Sequence, residues 1–283
     1  MAQRGIALLA VLWACTLLAI LLGGYAATAR IEGLLAHYQF EKTRAHYAAE
    51  AGLMRGVYAL RVPDRSKLWF RDGRPYAIRF DGARVQVSIT DETGKIDINS
   101  ARPDILRSLF RGVGESFDHA VALTHAIVEW RSPAPGTWSK DQLNDAYVAA
   151  GRSYGPRNGP FVSVEELQMV LGITPVLYAK IAPLVTIWSG MSEPNIAAAP
   201  PAVLAVLPGW TPERVREVLA ERAGHANNGP LPDFNYRKTY TICAIATLDD
   251  GTRAVLRAVV QPRLAWPDRR HFVVLRWQEG SAQ

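Results

Sequence analysis

Cysteine is close to absent from this chain: 283 residues contain two, Cys15 and Cys243. One lies inside an apolar run and the other in a strand-like segment, so a disulfide framework is excluded and the thiols do not indicate a redox compartment. Charge is missing over a long stretch. From Ile6 to Ala29 there are 24 residues without a charged side chain, and 20 of them are hydrophobic. Proline is missing until Pro63. A basic tract is also lacking: the net charge of +6 is spread along the chain, and the nearest thing to a cluster is Arg269–Arg270. That excludes a polyanion-binding tail. Neither a nucleophile elbow nor a P-loop is found. The six histidines (His37, His46, His119, His125, His225, His271) show no metal-ligand spacing. His119 and His125, six apart, fall on different faces of a helix. Glu165-Glu166 and Asp249-Asp250 read as a helix start and a turn. These absences point away from an enzyme, and no catalytic residue is expected. Plentiful aromatic and β-branched residues exclude disorder.

The uncharged run allows three readings. Ala27-Thr28-Ala29 has the small-x-small form of a signal-peptide cleavage site, but the apolar stretch is too long for a signal h-region of roughly 7–15 residues. It is long enough for a membrane span, which needs about 20. The third reading is a leader cut on the cytoplasmic side, leaving the apolar segment in the mature protein. The residues after Ala29 favour the third. Ile31, Leu34, Leu35, Tyr38, Ala45, Ala48, Ala49, Gly52, Leu53, Gly56, Val57 and Leu60 recur at three- and four-residue steps. Glu32, Glu41, Lys42, Arg44, Glu50 and Arg55 mostly take the other face. One helix of about 55 residues, ~80 Å long, is expected, half in lipid and half amphipathic.

Beyond Pro63 the period changes. Tyr76–Phe80 and Val85–Thr90 alternate around Asp81-Gly82, and Thr239–Thr247 and Arg253–Val260 flank Asp249-Asp250-Gly251. Both are hairpin signals. Asp91-Glu92-Thr93-Gly94 turns the chain into Lys95–Ile98, and His271–Trp277 reads as a last strand. The intervening residues look mainly helical and weakly self-similar. Ala101-Arg102-Pro103-Asp104-Ile105-Leu106 and Leu109 align at an offset of 98 with Ala199-Pro200-Pro201-Ala202-Val203-Leu204 and Leu207. Ser163 and Glu166 have capping-box spacing. The fold class is α+β: a long N-terminal helix packed on an antiparallel sheet, with a large α-helical domain inserted between strands.

Gly5-Ile6-Ala7-Leu8-Leu9 behind Arg4 resembles the cleavage site of type IV prepilins and type II secretion pseudopilins. Tyr47–Leu53, Asp91–Ile96, Pro160–Gly172 and Asn195–Arg222 resemble, in the same order, stretches of the protein K family of minor pseudopilins (general secretion pathway protein K). The resemblance implies a pilin-like fold, cleavage by prepilin peptidase between Gly5 and Ile6, and N-methylation of Ile6. It implies a leader over 1–5, a transmembrane part over 6–29, the amphipathic helix and first strands over 30–98, an inserted helical domain over 99–235 and C-terminal strands over 236–283. Most relatives carry Glu as fifth mature residue, where this chain has Ala10. A carboxylate in lipid needs a partner, and a subunit with none ahead of it has none to offer. The implied role is therefore at the tip of the type II secretion pseudopilus, initiating assembly and supporting export across the outer membrane. Implied partners are the minor pseudopilins I and J, the major pseudopilin, prepilin peptidase, the inner-membrane assembly platform and the lipid bilayer, with no nucleic acid. The implied location is the inner membrane, single-pass, with the soluble body in the periplasm.

Three alternatives stay open: a minor pilin of a type IV pilus, a membrane-anchored helix-hairpin-helix protein that binds nucleic acid, or a generic single-pass protein with a periplasmic binding domain. For the second, Gly112-Val113-Gly114, Gly172-Ile173-Thr174 and Leu207-Pro208-Gly209 are the candidate hairpins. Against it, Gly209 is followed by Trp210, Thr211, Pro212 and Glu213, and the next segment is nearly neutral. The resemblance also implies calcium, held by an acidic loop after a Trp-containing helix. Here Glu129-Trp130 is followed by Arg131-Ser132-Pro133-Ala134-Pro135-Gly136. Only Asp141, Asn144 and Asp145 remain as donors before Tyr147, so the expectation is no cofactor and no metal, with calcium kept as a possibility and Trp138 and Tyr147 holding the loop.

Overall fold

A computed structural model describes residues 4–61, 69–133, 140–228, 238–263 and 272–280. Helix α1 (Arg4–Ala59) is unbroken over 56 residues. Strands β1 (Asp72–Phe80) and β2 (Ala83–Asp91) form the first hairpin. Its turn is Asp81-Gly82, with both residues at positive φ (45° and 77°), the arrangement that matches the twist of the flanking strands. Strand β3 (Ile96–Asp97) leads into α2 (Pro103–Gly112), α3 (Phe117–Arg131), α4 (Lys140–Ala149) and α5 (Pro175–Ile181). Then come β4 (Val185–Thr186), α6 (Pro201–Leu204) and α7 (Pro212–Asn228), and last β5 (Tyr240–Thr247), β6 (Arg253–Pro262) and β7 (Phe272–Gly280).

The main sheet is antiparallel with the order β1-β2-β5-β6-β7. The helical body therefore departs after β2 and returns into its neighbour β5. Ile96–Asp97 do not extend this sheet; they pair in parallel with Val185–Thr186, so β3 belongs structurally with the helices. Two cores result. In one, Ala45, Ala48, Ala49, Leu53 and Val57 of α1 lie on Val85, Val87, Ile89, Ile242, Ala244 and Ala258. In the other, α2, α3, α5 and α6 bury Leu106, Phe110, Leu123, Ile127, Ile181 and Leu204 around Trp130.

Helix and sheet approach closely because α1 presents glycine. A Cβ on Gly52 would sit 2.5 Å from Val85 Cγ1, and one on Gly56 2.8 Å from Ile242 Cγ2. The apolar stripe of α1 is only partly covered. Ala45 to Leu60 are on the sheet, whereas Ile31, Leu34, Leu35 and Tyr38, in the same helical phase, are exposed. The sheet does not reach that far down the helix.

The repeat seen in the sequence has a structural counterpart. Asp97 Oδ1 accepts from the Asn99 amide at 2.8 Å, and Asn195 Oδ1 from the Ala197 amide at 3.1 Å. The amides of Ala101 and Ala199 bond back to the carbonyls of Asp97 and Asn195. Each turn leads into a helix whose first residue is a proline, Pro103 or Pro201, where the missing N–H has no helical partner to lose. The two units interlock: a Cβ on Gly112 would meet Val206 Cγ1 at 2.5 Å.

Candidate functional site

Among the described residues one helix is long and apolar enough to cross a membrane, the N-terminal part of α1. Gly5 and Ile6 lie in its first turn, with Ala10 one turn further on. Outside the span, α1 has a second apolar surface that its own sheet does not use. Phe40, Tyr47 and Met54 are spaced by seven residues, with Ala51 and Tyr58 between and beyond them. Phe40, Tyr47 and Tyr58 are each about three-fifths exposed. Heptad spacing keeps such side chains on one seam. Charged groups border it: Arg44 pairs with Glu41 at 3.4 Å and Asp81 at 3.5 Å, and the Arg55 guanidinium lies 5.0 Å from the Tyr58 ring centre.

A second feature is an open cleft of about 900 Å³ between the sheet and the helical body. Its charges are largely paired. Arg74 pairs with Asp72 at 2.7 Å, Lys95 with Glu92 at 2.8 Å, and Arg276 of β7 with Glu165 across the gap. Burial alone would raise the Glu165 carboxyl, but its Arg276 partner and local hydrogen bonds hold it below the usual range. The root of the body is tied by Thr241 Oγ1 donating to Glu92 at 2.7 Å and by Lys238 on Asp91 at 3.1 Å.

The capping box expected for Ser163 and Glu166 does not form. Ser163 makes no side-chain cap. Glu166 turns inward instead, accepting from Trp130 Nε1 at 3.0 Å, Arg157 Nη1 at 3.3 Å and the Val162 amide at 2.9 Å. An indole and a guanidinium together outcompete one local amide for a carboxylate with about four acceptor sites. Tyr147 is buried against Trp130 and Tyr154 at ring-centre distances of 6.0 and 5.9 Å. Burial pushes its hydroxyl up to about 12. Trp138 lies outside the described residues.

Of the other candidates, His119 bonds Glu115 on the surface at 2.6 Å, and Asp250 caps its own turn through Thr252. His271, Arg269 and Arg270 lie outside the described residues. Among those described, no three His, Cys, Asp or Glu side chains are grouped to hold a metal. The residues beside Trp130 do not fit calcium. Glu166 already serves three donors, Arg157 brings a positive charge, and calcium needs about six to eight oxygens. The side chains of Asp141 and Asn144 lie outside the described residues. Of the arginines near the third candidate hairpin, Arg222 serves the fold, whereas Arg214 and Arg216 are exposed. Arg222 donates to the carbonyls of Ala199, at 2.8 Å, and Ile196, and burial lowers its pKa from the ordinary arginine value. Arg216 pairs with Glu213 at 3.1 Å, and Arg214 lies over Trp210.

Residues 86–190 match the family model described as Type II secretion system (T2SS), protein K. That span contains the Asp91–Ile96 and Pro160–Gly172 stretches that carry part of the resemblance; Tyr47–Leu53 and Asn195–Arg222 lie outside it. The chain also matches one chain in the crystal structure of the GspK-GspI-GspJ complex from the enterotoxigenic Escherichia coli type 2 secretion system. The TM-score is 0.53 at 16% identity, covering 83% of this chain and 94% of that one. At that identity the likeness concerns the fold: a long helix on an antiparallel sheet with helices added. No curated protein matches the chain in sequence. The family match bears out the protein K resemblance.

Proposed function

We propose that this chain, a minor pseudopilin of the protein K family, stands at the tip of a type II secretion pseudopilus, where it starts assembly and supports export across the outer membrane. One observation carries the reading: a body with protein K sequence over residues 86–190 is joined to a single helix that is uncharged from Ile6 to Ala29. The helix holds the subunit in the inner membrane with the body in the periplasm. Prepilin peptidase cuts between Gly5 and Ile6 and the new terminus is methylated. On assembly, the Phe40–Tyr47–Met54 seam packs against the helices of I- and J-type minor pseudopilins, with the major pseudopilin below and the assembly platform beneath. Ala10 removes the carboxylate that an internal subunit would pair with the chain ahead, and an unpaired carboxylate in lipid is costly. The helical body is a large insertion between β2 and β5, which suits an end and not a close-packed shaft. No step in this role is catalytic.

Mass spectrometry of the mature N-terminus after membrane extraction tests the reading. The expected product starts at N-methylated Ile6. A terminus at Arg30 means a secretory signal. Intact Met1–Gly5 in cells with active prepilin peptidase means an ordinary anchor. Either of those results ends the proposal.

A further inference from the structure

The resemblance to the protein K family implies a loop held by calcium after the Trp-containing helix, yet the residues present beside Trp130 are organised around a cation belonging to the chain. We propose that the Arg157 guanidinium, seated on Glu166, takes the cross-linking place of a metal ion and makes this body independent of calcium.

The Glu166 carboxylate is the hub, and 8% of the residue is exposed. Oε1 receives the Trp130 indole N–H from α3 and Arg157 from the segment that returns after α4; Oε2 receives the Val162 amide. One carboxylate thus joins three stretches of chain. The returning segment is pinned at further points. The Gly159 amide donates to the Trp130 carbonyl at 3.1 Å. Asn99 brackets Phe161, accepting from its amide at 2.7 Å and donating to its carbonyl at 3.0 Å. Phe161 stacks on Trp130, with centroids 6.0 Å apart and planes 18° apart.

Charge and stoichiometry both argue for the substitution. A buried carboxylate needs a counter-charge, and a guanidinium supplies one together with directional donors. A divalent ion at the same carboxylate would have to expel Arg157 or sit beside it. It would also need five or more further oxygens, and the neighbouring carboxylate Glu165 is engaged by Arg276. Arg157 is 45% exposed along its side chain, so its pairing is partly screened and its effect is moderate.

The test is thermal unfolding of the full chain in detergent micelles, with a chelator (EGTA) and with millimolar calcium, for the native sequence and for Arg157→Ala and Arg157→Lys. The native Tm should be the same in both solutions. Arg157→Ala should lower it by about 2–4 °C, the shift expected for roughly 1 kcal/mol in a body of this size, with no recovery on adding calcium. Arg157→Lys, which keeps the charge and loses the planar donor, should fall between. A native Tm that drops in EGTA or climbs with calcium overturns the proposal. So does an Arg157→Ala protein that melts at the native temperature. If Arg157→Ala does not fold, the native and Arg157→Lys arms still decide. The test is independent of the place at the filament tip, because it reads stability and not secretion.

Discussion

Asp97 Oδ2 accepts the amide N–H groups of Ser189 and Gly190, at 3.0 and 2.7 Å, across more than 90 residues of sequence. The Ser189 hydroxyl adds a third bond at 3.2 Å, and the carboxylate is almost completely buried. This one side chain locks the β3–β4 pair and starts the turn into α2. Asp97→Ala removes the shared acceptor of several part-buried donors and should cost about 1–3 kcal/mol in all, because water reaches some of the groups left behind. Asp97→Asn keeps one acceptor and should cost less. Chemical denaturation of the two variants checks the order.

Gly52 sets the distance between α1 and the sheet. Gly52→Ala should gain up to about 1 kcal/mol in helix propensity but force Val85 aside, with overpacking costs of roughly 1–3 kcal/mol, for a net loss. Val85→Ala alone leaves a cavity. The double variant should be more stable than the sum of the two single losses, and a double-mutant cycle measures the coupling. Additive losses would mean that the close approach is not a contact of consequence.

The exposed seam separates stability from assembly. Tyr47→Ala and Met54→Ala touch little of the protein's own core and should change stability by about 0.5 kcal/mol or less. On the proposed function they should weaken co-purification with I- and J-type minor pseudopilins and reduce secretion. Unchanged recovery of both partners would remove the seam from the interface.

Tyr147 gives the body an alkaline limit. The folded hydroxyl titrates near 12, above the ordinary value of about 10 for an unfolded chain. The unfolded state therefore loses this proton first. The contribution is fully present below about pH 10 and is lost as pH rises toward 12, by about 1.4 kcal/mol per pH unit. Tyr147→Phe should flatten that part of the stability curve, as read from unfolding midpoints between pH 9 and about pH 12. Equal slopes in the two proteins would count against it.

What could be read in the sequence was local. The uncharged run and its helical period foretold α1, and Asp81-Gly82 and Asp250-Gly251 marked the hairpins, because turn geometry depends on a few adjacent residues. The offset of 98 pointed to the paired proline-led helices for the same reason. Partners far apart in the chain were out of reach. Glu166 looked like a local cap because spacing does not reveal Trp130 or Arg157. Ile96 looked like part of the main sheet because nothing nearby identifies Val185. Ile31 to Tyr38 share the phase of buried Ala45, and periodicity does not say where the covering sheet stops.

The bond between Lys238 and Asp91 closes a loop of 147 residues, and it has a consequence for the order of folding. Strand β2 cannot find β5 until the whole helical body has been synthesised, and pairing over such a separation is slow. Until then, the Ala45–Leu60 face of α1 waits beside an incomplete sheet, its apolar stripe open to whatever else is near. The body has its own core and its own β3–β4 closure, so it can form first and bring the two halves of the sheet together. On this order, a variant that loosens Asp97 delays completion of the sheet as well as weakening the finished protein, and newly made chains would be the ones most exposed to proteases.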